Sequence, residues 1–201
     1  VGAHSTGEDT LLLEELGWSG ICIEPLDSEF STLVSKRKCI CKNICVGDRN
    51  GEVDFASNEG YTSALSGVVE YYCDAHKERI VSEINQMGGS MNVGVKQMKT
   101  LSTLLDEENA PTHIELLKID VEGVELDVLK GAVNTILEYK PTCMVEIYAK
   151  FNKYHVETTF EFFFVRGYRC FYNHKGQGLK PVRSIEEGVE ATKIPEITDG
   201  D

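Results

Sequence analysis

Several things a globular enzyme often carries are scarce in this sequence. It has 5 prolines and 1 tryptophan in 201 residues, so no proline-rich linker or low-complexity stretch divides it. No window approaches 18 consecutive apolar residues, and no basic stretch followed by an apolar run stands at the start. Neither a membrane span nor a signal peptide is visible. Basic residues are outnumbered, 20 against 33 acids, which gives a net charge of −13. A field of that sign repels phosphate backbones and anionic surfaces, and argues against a nucleic-acid binder. The G-x-G-x-x-G dinucleotide fingerprint is also missing, and no internal repeat is seen.

What is present is ordinary globular usage, 41% hydrophobic and 26% charged with 18 glycines, enough to bury one core in one domain. Seven cysteines is an odd number in a chain too long to need staples, which points to the cytoplasm or another reducing compartment. Cys39, Cys41 and Cys45 fall in a strand-like run from Cys39 to Val46, where alternation places them on one face as small apolar fillers. No metal site is expected from them.

Strand-like and helix-like segments alternate, the pattern of a mostly parallel, doubly wound α/β sheet with helices on both faces. Helices are expected over Thr10–Leu16, Asp27–Lys36, Val68–Met87, Leu101–Glu108, Val124–Tyr139 and Val156–Val165. Strands are expected over Gly20–Glu24, Cys39–Val46, Glu52–Phe55 as an edge, Val93–Thr100, Ile114–Ile119, Thr142–Tyr148 and Tyr168–Tyr172. Gly60–Gly67 reads as a loop, and Gly88-Gly89 as the stop of the helix before it. One domain over residues 1–183 is expected, followed by a flexible acidic tail over 184–201.

Ligands of such sheets bind beyond the carboxyl ends of the strands, so the residues that end strands are the candidates for a site. Val1 to Glu8 is a glycine-bearing loop in which Gly2 and Gly7 allow close backbone approach. A tight strand-to-helix turn is its plainer meaning. Glu24 ends the next strand 22 residues after Gly2, near the ~20-residue offset at which an acid takes ribose hydroxyls. A surface acid flanking a helix is the alternative. Asp48 ends the Cys39–Val46 strand and suits an exocyclic amine or a turn cap. Asp120 and Glu122 follow the Ile114–Ile119 strand, where paired acids need a cation, a proton donor or helix N–H groups; either could instead cap the following helix.

Gly2-Ala3-His4, the run Gly20-Ile21-Cys22-Ile23-Glu24-Pro25, Gly47-Asp48-Arg49-Asn50-Gly51, and above all Lys118-Ile119-Asp120-Val121-Glu122-Gly123-Val124-Glu125-Leu126 resemble the FkbM-type methyltransferase family. The likeness covers most of residues 1–172. It implies a class I, Rossmann-like methyltransferase sheet of strand order 3-2-1-4-5-7-6, S-adenosyl-L-methionine as cofactor, and methyl transfer to a hydroxyl of a small-molecule, glycan or lipid acceptor. Gly2, Ala3, His4 and Gly7 would then lie by the cofactor, Glu24 at its ribose, Asp48 near its adenine, and Asp120 and Glu122 on the acceptor side. Against the family pattern the first strand is largely absent before Val1, so a truncated chain is expected, with an apolar slot beside its neighbours.

A hydroxyl attacks well only as its proton leaves, so a base in hydrogen-bond reach is needed. Asp120 and Glu122 come first, then Glu146 at the next strand end, with His4 and His155 lower. His76, His113 and His174 read as ordinary surface or core residues, and Phe160 with Phe162–Phe164 as packing. The rivals are an NAD-dependent oxidoreductase or sugar-nucleotide enzyme, and an inactive binding module of the same fold.

Overall fold

A computed structural model describes residues 1–5, 7–58, 63, 65–87, 89–108, 113–147, 155–173 and 178–193. Gly60, Gly88 and the tail from 194 onward, on which sequence expectations were placed, lie outside the described residues, as does His174. The chain divides into two compact units, 1–146 and 147–201, where one domain over 1–183 is expected from the sequence.

In the first unit α1 (Glu8–Glu15), β1 (Ile21–Ile23) and α2 (Asp27–Lys36) follow in order. Gly17, at φ 92, takes the left-handed conformation that turns the chain after α1. β2 (Ile40–Lys42) lies parallel to β1, Cys22 opposite Cys41. The single strand expected over Cys39–Val46 is two: β3 (Cys45–Val46) belongs to another sheet. The break is at Asn43, whose side-chain amide donates to the carbonyls of Glu24 and Pro25, both at 3.2 Å. Cys39, Cys41 and Cys45 therefore do not share one strand face.

That second sheet has the order β3-β6-β4-β5, built from β4 (Gly51–Asn58), β5 (Gly67–Val68) and β6 (Met91–Lys99). β4 pairs antiparallel with β6 over its whole length, Gly51 opposite Met98 and Asn58 opposite Met91, and on its other side with β5 at Phe55 and Ala56, so among the described residues Glu52–Asp54 keeps the expected edge and Phe55 is internal. Val53, Phe55, Val68 and Met98 pack with Leu26 and Cys45 beneath it. The helix expected from Val68 starts later, as α3 (Asp74–Met87), after β5 and a 3₁₀ turn over Val69–Tyr71. β-branched Val68 and Val69 with aromatic Tyr71 and Tyr72 favour the extended start.

α4 (Leu101–Glu107) begins at Thr100, whose hydroxyl accepts from Thr103 N. β7 (Leu116–Ile119) and β8 (Thr142–Val145) form a parallel pair. Between them the expected single helix is split into α5 (Glu125–Gly131) and α6 (Val133–Tyr139). Gly131 sits so close to Gly47 that a Cβ there would lie 1.9 Å from its carbonyl oxygen, and Ala132 is fully buried. Packing at this crossing bends the chain.

No seven-stranded sheet is formed by the described residues, which carry four small sheets, the largest of them mixed. Two of them are the parallel pairs β1-β2 and β7-β8. Val1–Ala3 lies between those pairs. The Val1 amino group donates to Lys118 O at 2.8 Å, Asp120 N donates to Val1 O at 3.2 Å, and the amides of Gly2 and Ala3 both donate to Ile23 O at 3.0 Å.

The second unit holds α7 (Val156–Phe164), an antiparallel pair of β9 (Cys170–Tyr172) and β10 (Lys180–Val182), and α8 (Ile185–Ala191). Its core joins Val156, Phe160 and Val182. The region expected as a flexible tail from 184 opens instead with a capped helix, the Ser184 hydroxyl accepting from Glu187 N. No helix among the described residues is long and apolar enough to cross a membrane.

Candidate functional site

β1 and β7 both end in acids, and the Val1–Ala3 segment that bonds to both strands sets those acids around one space. A cavity of about 300 Å³ is lined by Gly2, His4, Glu24, Glu29, Asp120 and Glu122 among others, at the small end of the ~300–1,000 Å³ range of ligand sites. Gly2, at φ 72, is pressed against β7: a Cβ would meet Asp120 O at 1.6 Å. Only glycine fits there.

Glu24 is 7% exposed. One carboxylate oxygen accepts from His4 N and the other from Leu26 N, each at 2.8 Å. Burial raises its pKa, against the pull of those two amides. A carboxylate offers about four acceptor sites, so two N–H bonds fix its plane and leave each oxygen a lone pair for a ligand hydroxyl.

Asp120 receives Lys118 Nζ at 2.8 Å. Burial alone would raise its pKa, but hydrogen bonds from Glu146 and Lys118 outweigh this and hold it below the ordinary value. Glu146, whose amide donates to Ile119 O at 3.0 Å, shares a hydrogen bond with Asp120 that raises its own pKa to about 7. Glu122 is raised by burial and by the charge of Asp120, and its φ of 55 is left-handed for a non-glycine residue, a strain of ~1–3 kcal/mol of the kind that gathers at working sites.

Neither Asp120 nor Glu122 caps the helix after it. The N-cap of α5 is Val124, with no side-chain bond, and Glu125 is 2% exposed and accepts from Val121 N and Gly123 N at 3.2 and 3.0 Å. That frees both acids for the cavity.

The other candidates scatter. Asp48 lines no part of this cavity; its Oδ1 accepts from Tyr71 OH at 2.7 Å and Arg49 Nη1 at 3.3 Å. Ala3 and Gly7 line a second, larger cavity of about 600 Å³ between β1 and β7, walled by Cys22 and Leu117. His4 contributes its amide to Glu24, while its exposed ring lies 3.5 Å from Ser63 Oγ and 3.6 Å from Glu29 Oε2. His155 precedes α7 in the second unit.

Sequence reasoning missed Glu29 and Ser63. Glu29 could have been found, since α2 starts three residues after Glu24 and its first turn must therefore sit at the same rim. No signal marks Ser63. The space can accept hydroxyl protons at Glu24 and face a positive centre with Asp120 and Glu122. The family described as methyltransferase FkbM domain matches the chain over residues 1–170. Among curated proteins and among solved structures, nothing matches.

Proposed function

Because the chain belongs to the FkbM methyltransferase family, we propose that it is an S-adenosylmethionine-dependent methyltransferase acting on a hydroxyl of a glycan, lipid or polyketide-like acceptor, with its cofactor in the cavity between Glu24 and Asp120. In this reading β2-β1 and β7-β8 are the two flanks of one doubly wound sheet, with Val1–Ala3 at its centre. The observation that carries it is the meeting of Glu24, Asp120 and Glu122 around one cavity walled by Gly2.

The donor set fits such a group. Glu24 is an oriented acceptor for a ribose diol, and the carboxylates at the β7 end suit a cation. When bound, adenosylmethionine supplies a methyl group on a positive sulfur. The protein then has to align the acceptor and remove its proton. Lys118 keeps Asp120 ionised, and the pair it forms with Glu146 places a group of pKa about 7 beside the cavity, near the optimum for a base at neutral pH.

Titration calorimetry with adenosylmethionine and, separately, NAD tests the reading. Saturable binding of adenosylmethionine that Glu24→Ala weakens is expected; binding of NAD alone would overturn it. Label transfer from methyl-labelled cofactor into a glycan and lipid extract then identifies the acceptor.

A further inference from the structure

The Gly2–Gly7 segment is held at its other end by a residue that no motif marks. Arg37 follows α2 and turns inward, its side chain 3% exposed. Nη1 donates to Gly7 O at 2.9 Å and to Thr10 Oγ1 at 3.2 Å, and Nε donates to Glu14 Oε2 at 2.8 Å. The second oxygen of Glu14 accepts from Lys38 N at 2.7 Å. The Arg37 hydrogen bond, then that from the Lys38 amide, lowers Glu14 to a pKa of about 2, so the ion pair persists through the working pH range.

Two features separate this from a generic ion pair. Arg37 sets a cation at the first turn of α1, the helix end whose dipole favours anions, so stability of α1 alone does not account for it. Gly7, at φ 59, also leaves no room: a Cβ would lie 2.2 Å from Arg37 Nη1. The segment is pinned at Gly2 and Ala3 by Ile23 O, at His4 by Glu24, across its turn by Gly7 N donating to Ala3 O at 2.8 Å, and at Gly7 by Arg37. Arg37 lines the larger cavity and not the one at Glu24.

We propose that Arg37, oriented by Glu14, is a positioning residue for cofactor binding. It holds Gly7, and through the bond from Gly7 N to Ala3 O also Ala3, in the placement that seats His4 N on Glu24, and sets affinity without touching the ligand. This rests on the reading of the Glu24 cavity as the adenosylmethionine site. The guanidinium is required for its fork of donors, which a lysine ammonium cannot reproduce.

The test uses the full chain, wild type and with Arg37→Lys, Arg37→Ala or Glu14→Gln. Titration with adenosylmethionine is expected to show Kd raised about tenfold or more by Arg37→Lys, and by less in Glu14→Gln. Millimolar methylguanidinium is expected to restore affinity to Arg37→Ala and leave Glu24→Ala unchanged, a rescue that a general loss of stability would not show. Hydrogen exchange of the His4 and Gly7 amides without ligand is expected to quicken about tenfold in Arg37→Lys. Folded variants that bind as wild type does, or amides that exchange unchanged, would overturn the proposal. A wild type that fails to bind adenosylmethionine would overturn the cofactor reading instead, and the exchange measurement would still decide whether Arg37 positions the segment.

Discussion

The rim at Glu24 and the rim at Asp48 look alike in sequence, each an acid just past a strand, and the fold uses them differently. Glu24 is buried, with both oxygens oriented by backbone amides, and faces Asp120 and Glu122 across a cavity. Asp48 is exposed, and its Oδ1 is taken by the side chains of Tyr71 and Arg49. Arg49 is itself ion-paired with Glu70. On the proposed reading, an acid at a strand end serves a ligand when rigid donors fix it and leave lone pairs over an open space. Where flexible side chains satisfy it, the same residue type is a surface tie.

The sharpest way to break this contrast is Gly2→Ala. The left-handed backbone alone costs ~1–2 kcal/mol for an L residue, and the added methyl would overlap Asp120 O. Cofactor binding is expected to be lost and the melting temperature to fall, as calorimetry and a thermal melt would show. The matching Gly51→Ala near Asp48, where a Cβ meets nothing within 4 Å, is expected to leave binding intact despite its φ of 147.

Next in size is Glu146→Gln, which removes the raised carboxyl. Turnover is expected to fall ~10²-fold, the low end for loss of a general base. In the wild type the rate is expected to rise as pH passes about 7 and Glu146 loses its proton. Stability runs the other way. A carboxyl whose folded pKa lies above its ordinary 4.5 contributes stability that is complete below that value and is lost as pH rises through about 7. Opposed slopes of rate and melting temperature between pH 5 and 8, both flattened by Glu146→Gln, would check the assignment; a rate profile unchanged in the variant would move the base elsewhere.

How much of this was legible in sequence depends on whether the cause is local. α2 over Asp27–Lys36 follows from its own residues and stops, and β1 and β7 from short apolar runs ended by acids. The meeting of Glu24 with Asp120 and Glu122 could be anticipated, because strand ends gather at one edge of a parallel arrangement. The Cys39–Val46 strand could not be divided by inspection, since the bonds of Asn43 to Glu24 and Pro25 that interrupt it are tertiary. Nor could Arg37 be singled out: one arginine at a helix end reads as a solvated charge until α1 folds over it. The split at Ala132 has the same origin, in the approach of Gly131 to Gly47.

Glu24→Ala comes third, with a loss of ~1.5–3 kcal/mol in adenosylmethionine binding, the range for a hydrogen bond to a charged group. Calorimetry showing no change would remove Glu24 from the site and erase the contrast with Asp48.

The smallest effect, and the one that decides what the contrast means, is Asp48→Asn. The amide keeps an acceptor for Tyr71 OH and loses only the charge facing Arg49, an exposed pair of the kind worth ~0–1 kcal/mol. If Asp48 reached the adenine of the cofactor, the change would turn an acceptor toward the exocyclic amine into a group that also donates, and affinity would drop severalfold. With Asp48 outside the cavity, adenosylmethionine affinity is expected to change less than twofold, while the phenol of Tyr71, held above its ordinary pKa first by burial and then by Asp48, titrates at lower pH in a spectrophotometric titration. A shift at Tyr71 without a shift in affinity separates the two rims by their partners; a fall in affinity would join them.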